Sequence, residues 1–312
     1  MAGSDQSWRL RDIQWRKLWA RQDYANFLLT ACLIVATIVV SVVAEPHIVP
    51  YVAWDARISY PLHSNTIPSW VAVFTPLIML ALTIAHGSIT DAVSSAVYFF
   101  LDGVQSFVMG IFLTQTFKYI VGRLRPNFLA RCQPDVPNGV TFSLQNITSG
   151  ISDQFPCTGG DVVDGRLAFP SGHTSACFNL AVYASAYLIW VWHWRHQLPA
   201  RRLTFREEFA ADLLNVLAKT WMLGMICFAW GVGISRIIDY QHDVSDVLGG
   251  AFLGTMIAIV YILRAIPRWR RVLQDTSEGP RREFVSSGDV EAPIIPGDGA
   301  AKQRVVATSS QG

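Results

Sequence analysis

Six long apolar segments limit what the chain can fold into. They comprise residues 24–44, 69–85, 103–121, 174–192, 217–234 and 246–266. An α-helix advances about 1.5 Å per residue, so about 20 apolar residues are needed to cross the roughly 30 Å hydrocarbon core of a bilayer. We therefore predict an all-α integral membrane protein, a bundle of six transmembrane helices with a non-cytosolic loop between the third and fourth helices.

The proportion of charged residues supports this class. Charged residues make up 15% of the chain and apolar residues 51%, whereas an ordinary soluble domain has about 25% charged residues. A net charge of +2 argues against a strongly basic nucleic-acid binder. Five cysteines in 312 residues are too few for a scaffold built on disulfides. We expect the lipid bilayer, and no nucleic acid, as a partner.

The distribution of lysine and arginine predicts the orientation in the membrane. Basic residues collect on the cytosolic side of transmembrane segments, and placing both termini in the cytosol puts all but seven of the 25 Lys and Arg residues there. The seven on the other side are Arg57, Lys118, Arg123, Arg125, Arg131, Arg166 and Arg236. The expected location is the plasma membrane or an endomembrane such as that of the vacuole, ER or Golgi.

The two ends of the chain differ from the six-span region, residues 24–266. Residues 1–23 carry Trp8, Trp15 and Trp19 at spacings of one helical face, among basic residues. This pattern is typical of a segment that lies in the cytosolic membrane interface. Residues 267–312 lack apolar periodicity and are rich in Ser, Gly, Pro and mixed charge, which predicts a disordered cytosolic tail.

The loop between the third and fourth segments carries two features of a lumenal or extracellular compartment. Asn146-Ile147-Thr148 is an N-glycosylation sequon, which can be modified only on that side of a membrane. Cys132 and Cys157 lie in the same loop, where an oxidising compartment would let them pair. We expect glycosylation at Asn146 and a disulfide between these two cysteines.

Three polar clusters lie at the outer ends of the third to sixth segments. The first is Lys118, which ends the third segment, with Arg125 seven positions later. Both side chains project from one face toward the outer interface, and Pro126 biases Arg125 out of the helix. Alone, this cluster is equally typical of a lysine reaching the interface and a helix stop.

The second cluster enters the fourth segment at Ser171-Gly172-His173. Ser171 can cap the helix, and Gly172 allows a ligand to approach the backbone N–H groups. A helix N-terminus of this kind binds anions, with His173 beside it. A cap followed by an interfacial histidine explains the tripeptide equally well.

The third cluster leaves the fifth segment at Arg236 and continues through His242 to Asp246. The last two are four positions apart, so we expect them on one helical face at the start of the sixth segment. There the Asp246 carboxylate can accept the Nδ1 proton of His242 and leave Nε2 free to act.

Together the clusters supply what phosphoryl transfer needs. Fixed cations and backbone N–H groups match the charged oxygens of a phosphoryl group in its transition state. One histidine can attack phosphorus and form a phosphohistidine, while the other protonates the leaving oxygen. We assign the attack to His242, because Asp246 would stabilise its positive ring, and the acid to His173, whose helix N-terminus favours proton loss.

A metal site is the alternative for the third cluster. Asp239, His242, Asp243 and Asp246 are close in sequence, and carboxylate and imidazole groups suit divalent ions. Three basic residues in the same site would repel a divalent cation, and they already supply its charge. We therefore expect no metal.

In their order and spacing, the three clusters resemble the signature of the type 2 phosphatidic acid phosphatase superfamily. More narrowly, the chain is similar to the fungal lipid phosphate phosphatases and diacylglycerol pyrophosphate phosphatases over roughly residues 24–266. The resemblance implies a six-span bundle, no cofactor, and an active site on the lumenal or extracellular face. It implies that phosphate is bound by Lys118, Arg125, Ser171, Gly172 and Arg236, with His173 as acid, His242 as nucleophile and Asp246 as its partner. Arg123 and Asp239 are not signature positions, and we expect them to contact the site residues rather than the phosphate.

The resemblance implies lipid phosphate substrates: phosphatidic acid, lysophosphatidic acid or diacylglycerol pyrophosphate. The same signature permits a phosphatase of isoprenoid or sphingoid phosphates. A transporter or channel with an anion site is a different class, but intramembrane charges then mark the path, whereas here they lie at segment ends on one side. A non-catalytic lipid-binding scaffold should have lost one of His173, His242 and Asp246, and all three are present.

Overall fold

The computed structural model describes residues 24–88, 93–135, 155–195 and 204–277. These residues form eight α-helices: α1 (Tyr24–Val43), α2 (Ser69–Ser88), α3 (Val93–Val121), α4 (Phe128–Cys132), α5 (Val162–Gly165), α6 (Gly172–Arg195), α7 (Phe205–Ile238) and α8 (Val244–Ser277). A short 3₁₀ turn covers Ala56–Ile58. In the same ranges there is no β-strand, and an isolated antiparallel bridge joins Pro134 to Cys157.

Each of the six predicted segments lies in one of the long helices. In four of these helices the apolar stretch is long enough to cross a membrane: Asn26–Val43, Gly172–Trp192, Glu208–Ile238 and Val244–Pro267. The apolar stretch of α2 is shorter, Ser69–Ile84. The described chain is therefore an all-helical protein with the apolar helices of a membrane protein, and the number of six spans stays a prediction.

Helix α3 combines apolar residues with polar residues that face the protein interior. Asp102, Gln105, Ser106 and Thr114 are all buried. Ser106 Oγ exchanges hydrogen bonds of 3.0 to 3.2 Å with the Asn179 side chain on α6. Thr114 Oγ1 donates to Ser175, also on α6. Polar side chains in a membrane protein are stabilised when they form hydrogen bonds to a neighbouring helix, as these do.

Helix α6 is the centre of the bundle. It packs against α2, α3, α7 and α8, and 61% of its apolar stretch is buried. A helix buried on several sides has no single apolar face. Its position explains why the polar residues at its first turn, Ser171 and Thr174, are completely buried.

Two glycines let α8 approach α6 closely. A Cβ at Gly250 would collide with the carbonyl oxygen of Ser171, and one at Gly254 with that of Ser175. The two glycines are four residues apart, the spacing at which small residues allow two helix backbones to touch. The start of α6 is therefore fixed against the start of α8, which sets the relative positions of the second and third polar clusters.

Several boundaries differ from the sequence-based expectation. Helix α8 continues past Pro267 to Ser277, whereas the start of α3 at Val93 agrees with an extension of the third segment back through the apolar residues before Asp102. The expected start of the tail, residue 267, thus lies inside a helix, because the end of an apolar run marks the end of lipid contact rather than the end of the helix. The interfacial segment 1–23, Asn146 and residues 278–312 lie outside the described residues.

A second, smaller apolar cluster lies beyond the ends of the long helices. It is formed by Tyr51, Ile58, Phe128 and Cys132. A disulfide joins Cys132 to Cys157, the two cysteines that the sequence analysis paired. The bond ties α4 to the segment that leads into α5, and both helices contact each other.

Candidate active site

The three polar clusters meet at one end of the bundle, where α3 and α7 end and α6 and α8 begin. Backbone hydrogen bonds hold these ends together. Ser171 N–H donates to the carbonyl of Asp246 at 3.0 Å, and Ala168 N–H donates to that of Arg123 at 3.0 Å. Antiparallel neighbouring helices thus bring residues more than 100 positions apart into one site.

Lys118 lies on the last turn of α3 and reaches the first turn of α6. Its Nζ is 3.8 Å from the place that a Cβ on Gly172 would occupy. The ammonium is also close enough to interact electrostatically with Arg125, Asp164 and Asp246. The absence of a side chain at Gly172 therefore leaves room beside a cation and a helix N-terminus, as an anion site requires.

The backbone N–H of Ser171 was expected to bind an anion. In the structure it instead donates to the Asp246 carbonyl. The Ser171 hydroxyl oxygen accepts a hydrogen bond from Thr174 Oγ1 at 3.0 Å. Any contact of Ser171 with phosphate would then come from its own hydroxyl proton rather than from its N–H.

Arg125 is buried and is held by three hydrogen bonds. Its Nε and Nη2 donate to the backbone carbonyl and Oδ1 of Asp164, each at 2.8 Å, and Nη1 donates to Gln241 Oε1 at 2.7 Å. Arg131 binds the same two side chains, at 2.7 Å from Asp164 Oδ2 and 3.0 Å from Gln241 Oε1. Burial lowers the pKa of Arg125 while the Asp164 carboxylate raises it, and the guanidinium stays charged.

Arg236, on the last turn of α7, is 1% exposed. Its Nη2 donates to Asp239 Oδ2 and to the carbonyl of Ile67, both at 2.9 Å. Its Nη1 donates to Asn65 Oδ1 at 3.1 Å, and Nε to Ser235 Oγ at 3.3 Å. Asp239, expected only as a neighbour, is thus the ion-pair partner of this arginine.

His242 is 3% exposed and lies in the turn between α7 and α8, not on α8 itself. Its backbone N–H donates to the Arg236 carbonyl at 3.2 Å. The pKa of His242 is lowered to about 4, mainly by burial; Asp246 raises it, and Arg125 and Lys118 lower it. The ring is therefore neutral at pH 7 and keeps a lone pair on one nitrogen.

The expected hydrogen bond between His242 and Asp246 is replaced by a longer contact. His242 Nδ1 is 3.8 Å from Asp246 Oδ2, beyond the range of a hydrogen bond. Oδ2 accepts the Asp243 N–H at 2.9 Å, and Oδ1 lies 2.9 Å from Arg123 Nη1. The two residues pair as expected, but the carboxylate is shared, because Asp246 also caps the first turn of α8.

His173 lies in the same region, at the start of α6. Arg236, His242, Lys118 and Arg125 are all close enough to interact electrostatically with its ring. Its Nε2 is 3.2 Å from Ser69 Oγ, on the first residue of α2. The structure therefore brings together the predicted phosphate ligands and both predicted catalytic histidines.

The acidic residues weighed as metal ligands are engaged by arginines. Asp239 pairs with Arg236, and Asp243 with Arg123 at 3.0 Å. Among the described residues, no group of three or more His, Cys, Asp or Glu side chains is arranged to hold a metal ion.

Sequence reasoning missed the partners that hold the site. Gln241 and Asp164 orient the arginines, while Asn65 and Thr66 reach the site from the segment before α2. Gln241 adjoins a predicted histidine and could have been suspected. Nothing in the sequence links Asn65 to a residue 171 positions away.

Comparison with known proteins gives a family and named relatives. The sequence model of the PAP2 superfamily matches residues 101–270, a range that contains all three clusters. Human phospholipid phosphatase 2 is 30% identical over 257 residues, 74% of this chain and 79% of that protein. Lipid phosphate phosphatase 2 of Arabidopsis thaliana is 31% identical over 256 residues, 80% of this chain and 79% of that protein.

Rat phospholipid phosphatase 1 is 28% identical over 229 residues, 67% of this chain and 72% of that protein. No solved structure matches the chain. The family match covers more than half of the 312 residues and includes every residue of the three clusters, so the chain belongs to the PAP2 superfamily.

Proposed function

We propose that the chain is a metal-independent lipid phosphate phosphatase that works through a phosphohistidine on His242. Its substrates are the phosphomonoester or pyrophosphate groups of phosphatidic acid, lysophosphatidic acid or diacylglycerol pyrophosphate. The main support for this proposal is a buried His242 that lies 3.8 Å from the Asp246 carboxylate and close enough to Lys118 and Arg125 to interact with both electrostatically. The names of the relatives, phospholipid and lipid phosphate phosphatases, support the same substrate class.

The cations bind the phosphoryl oxygens. Lys118 adjoins Gly172, so a phosphate at the start of α6 would contact the ammonium and meet the positive end of the helix dipole. Arg125 is held rigidly by Asp164 and Gln241. Preorganised donors of this kind stabilise the charge that develops during phosphoryl transfer.

The reaction proceeds in two steps, formation and hydrolysis of the phosphohistidine. The lone pair of His242 Nε2 attacks phosphorus while the bond to the leaving oxygen breaks, and that oxygen takes a proton from the protonated ring of His173. Asp246 stabilises the positive ring that results. Water then attacks the phosphohistidine, His173 takes a water proton, and the P–N electron pair returns to Nε2. Phosphate leaves, and both histidines regain their starting states.

The place of the site suits a lipid substrate. It lies at the ends of apolar helices, so acyl chains can stay in the bilayer while the headgroup reaches the charges. We place it on the lumenal or extracellular face of a six-span protein with cytosolic termini. The positive-inside distribution of Lys and Arg and the Cys132–Cys157 disulfide support this orientation.

Phosphate release from phosphatidic acid tests the proposal. Purified protein in mixed micelles should release phosphate with excess EDTA present, and His242→Ala should lower kcat by at least 1,000-fold, as loss of a nucleophile does in enzymes with covalent intermediates. His47→Ala is the matched control, because this histidine is exposed and should leave the rate unchanged. Activity that EDTA abolishes, or that survives in His242→Ala, contradicts the proposal.

A further inference from the structure

His173 is held by a residue that lies outside the family match. The match begins at residue 101, whereas the Nε2 atom of His173 is 3.2 Å from the hydroxyl oxygen of Ser69. Ser69 is the first residue of α2, and its helix packs against α6, the helix that carries His173. The contact therefore joins two helices at the site rather than two neighbours in sequence.

The segment that leads to Ser69 is anchored to the catalytic end of α7. Thr66 N–H donates to Asp239 Oδ2 at 2.8 Å, and Thr66 Oγ1 donates to Asp239 Oδ1 at 2.5 Å. Asn65 Oδ1 and the carbonyl of Ile67 accept hydrogen bonds from Arg236. Four bonds from a buried ion pair thus fix the three residues 65–67, and Ser69 follows two residues later.

A stacked aromatic pair holds the same segment further upstream. The rings of Tyr60 and Tyr240 stack with centroids 4.6 Å apart. Tyr240 belongs to the turn that also carries His242. The approach to α2 and the turn that carries the nucleophile are therefore one connected unit, which gives the Ser69 hydroxyl a defined position.

We propose that Ser69 is a positioning residue that orients His173 for proton transfer to the leaving oxygen. This inference rests on the proposed function, in which His173 is the general acid. In the protonated acid both ring nitrogens carry a hydrogen: the Ser69 hydroxyl accepts the one on Nε2, which leaves the one on Nδ1 for the leaving oxygen. When the P–O bond breaks, its electron pair goes to the leaving oxygen, which takes the Nδ1 proton. Ser69 itself forms and breaks no covalent bond.

A positioning role for the acid predicts a dependence on the leaving group. Protonation matters most when the leaving oxygen is strongly basic, as in the alkoxide of diacylglycerol. It matters little when the leaving oxygen is weakly basic, as in the phosphate monoester released from a pyrophosphate. Loss of Ser69 should therefore impair the hydrolysis of phosphatidic acid far more than that of diacylglycerol pyrophosphate.

The test compares these two substrates, with the same acyl chains and in the same micelles with EDTA. Ser69→Ala should lower kcat/KM for phosphatidic acid about tenfold, since a misplaced catalytic group costs at least that much, and that for diacylglycerol pyrophosphate less than twofold. Ser69→Thr keeps a hydroxyl and should restore the ratio of the two constants. Ser59→Ala is the matched control, because among the described residues the Ser59 hydroxyl bonds locally, to the Ala56 carbonyl, and should change neither constant.

An unchanged ratio in Ser69→Ala overturns the inference, whether both constants fall together or neither falls. So does a Ser69→Thr variant whose ratio is as altered as that of Ser69→Ala. The His173→Ala variant distinguishes a failure of the Ser69 inference from a failure of the proposed function. It should show the same selectivity with a larger loss, and an equal loss on both substrates would contradict the acid role of His173 itself.

Discussion

Arg236 gives most of its hydrogen-bonding capacity to the protein. A guanidinium has five N–H groups, and four of those of Arg236 donate to Ser235, Asn65, Ile67 and Asp239. One Nη1 hydrogen is left without an acceptor among the described residues. In the proposed reaction, Arg236 therefore offers phosphate a single N–H, and Lys118 and Arg125 carry more of the binding.

The chemistry of His242 depends on two opposing surroundings. Burial and the nearby cations keep the ring neutral, as a nucleophile must be, while the Asp246 carboxylate at 3.8 Å favours the positive ring that follows attack. Desolvation and charge shift a pKa by separable amounts. Changing Asp246 alone should therefore change the second effect and leave the burial intact.

The pH profile of Asp246→Asn tests this balance. The acid limb of kcat/KM that belongs to His242 should lie near pH 4 in the wild type, not near the ordinary 6.5. Because Asp246 raises the pKa of His242, its loss should move that limb to lower pH and lower the maximum about 100-fold through a less stabilised positive ring. The measurement is kcat/KM for phosphatidic acid between pH 3 and 9.

The titration of the substrate is the same for both enzymes, so a limb that coincides in the two profiles belongs to the substrate. A limb that moves to higher pH in Asp246→Asn contradicts the assignment.

At the residue scale, the sequence predicted which side chains meet but not what holds them. Lys118, His173 and His242 were found because each combines a chemical type with a place at a helix end. The sequence did not predict that Asp246 shares its oxygens between Arg123 and the Asp243 N–H. Such sharing depends on the turn before α8, and its geometry arises from tertiary packing rather than from spacing.

At the scale of helices, the apolar runs predicted where the long helices lie but not where they end. Helix α7 extends over Phe205–Ile238, well beyond the predicted 217–234, because its apolar stretch is itself longer, Glu208–Ile238. The short helices α4 and α5 were not predicted at all. Helices of five and four residues have too little periodicity to be recognised in a sequence.

The contact of α6 with α8 gives a prediction about glycine. Gly254→Ala places a methyl group against the carbonyl of Ser175, so the helices must separate. We expect the melting temperature to fall by several degrees and phosphatase activity to fall with it, because overpacking costs about 1–3 kcal/mol. The melting temperature in detergent and kcat for phosphatidic acid are the two measurements.

Gly224→Ala on α7 is the matched control. No atom lies within 4 Å of the Cβ that it would add, so only helix propensity changes, and alanine is favoured there by about 1 kcal/mol. Its melting temperature should stay the same or rise. Equal effects of the two variants would show that the close approach of α6 and α8 does not determine stability.

At the scale of the whole molecule, the predicted orientation in the membrane assigns the site to the lumenal or extracellular side. The predicted sequon at Asn146, the disulfide and the three clusters all belong to the same predicted outer side. The all-helical class and the location of the clusters at one end of the bundle followed from the apolar runs and the helix ends. The second, smaller apolar cluster, which includes Tyr51, Phe128 and Cys132, could not be predicted, because it is built largely from loops without a repeating pattern.

Glycosylation tests the orientation. In a eukaryotic expression host, the wild-type protein should show a gel shift that an endoglycosidase removes, and Asn146→Gln should lack it, because only lumenal sequons are modified. Thr148→Ala removes the same sequon by a different residue and should give the same result. A glycan that persists in both variants would place a different segment of the chain in the lumen.

A trapped covalent intermediate is the sharpest test of catalysis by His242. With phosphatidic acid labelled in its phosphate group, rapid acid-free quenching in denaturant should trap a labelled protein whose phosphate is stable to alkali and labile to acid, as expected of a phosphohistidine. Peptide mapping should place the label on His242. With diacylglycerol pyrophosphate labelled in its terminal phosphate, whose leaving oxygen needs little protonation, His173→Ala should accumulate it, because water attack loses its base, and His242→Ala should contain none. A label on another residue would contradict a phosphohistidine on His242. So would a wild type that turns over substrate while neither it nor His173→Ala yields a trapped intermediate.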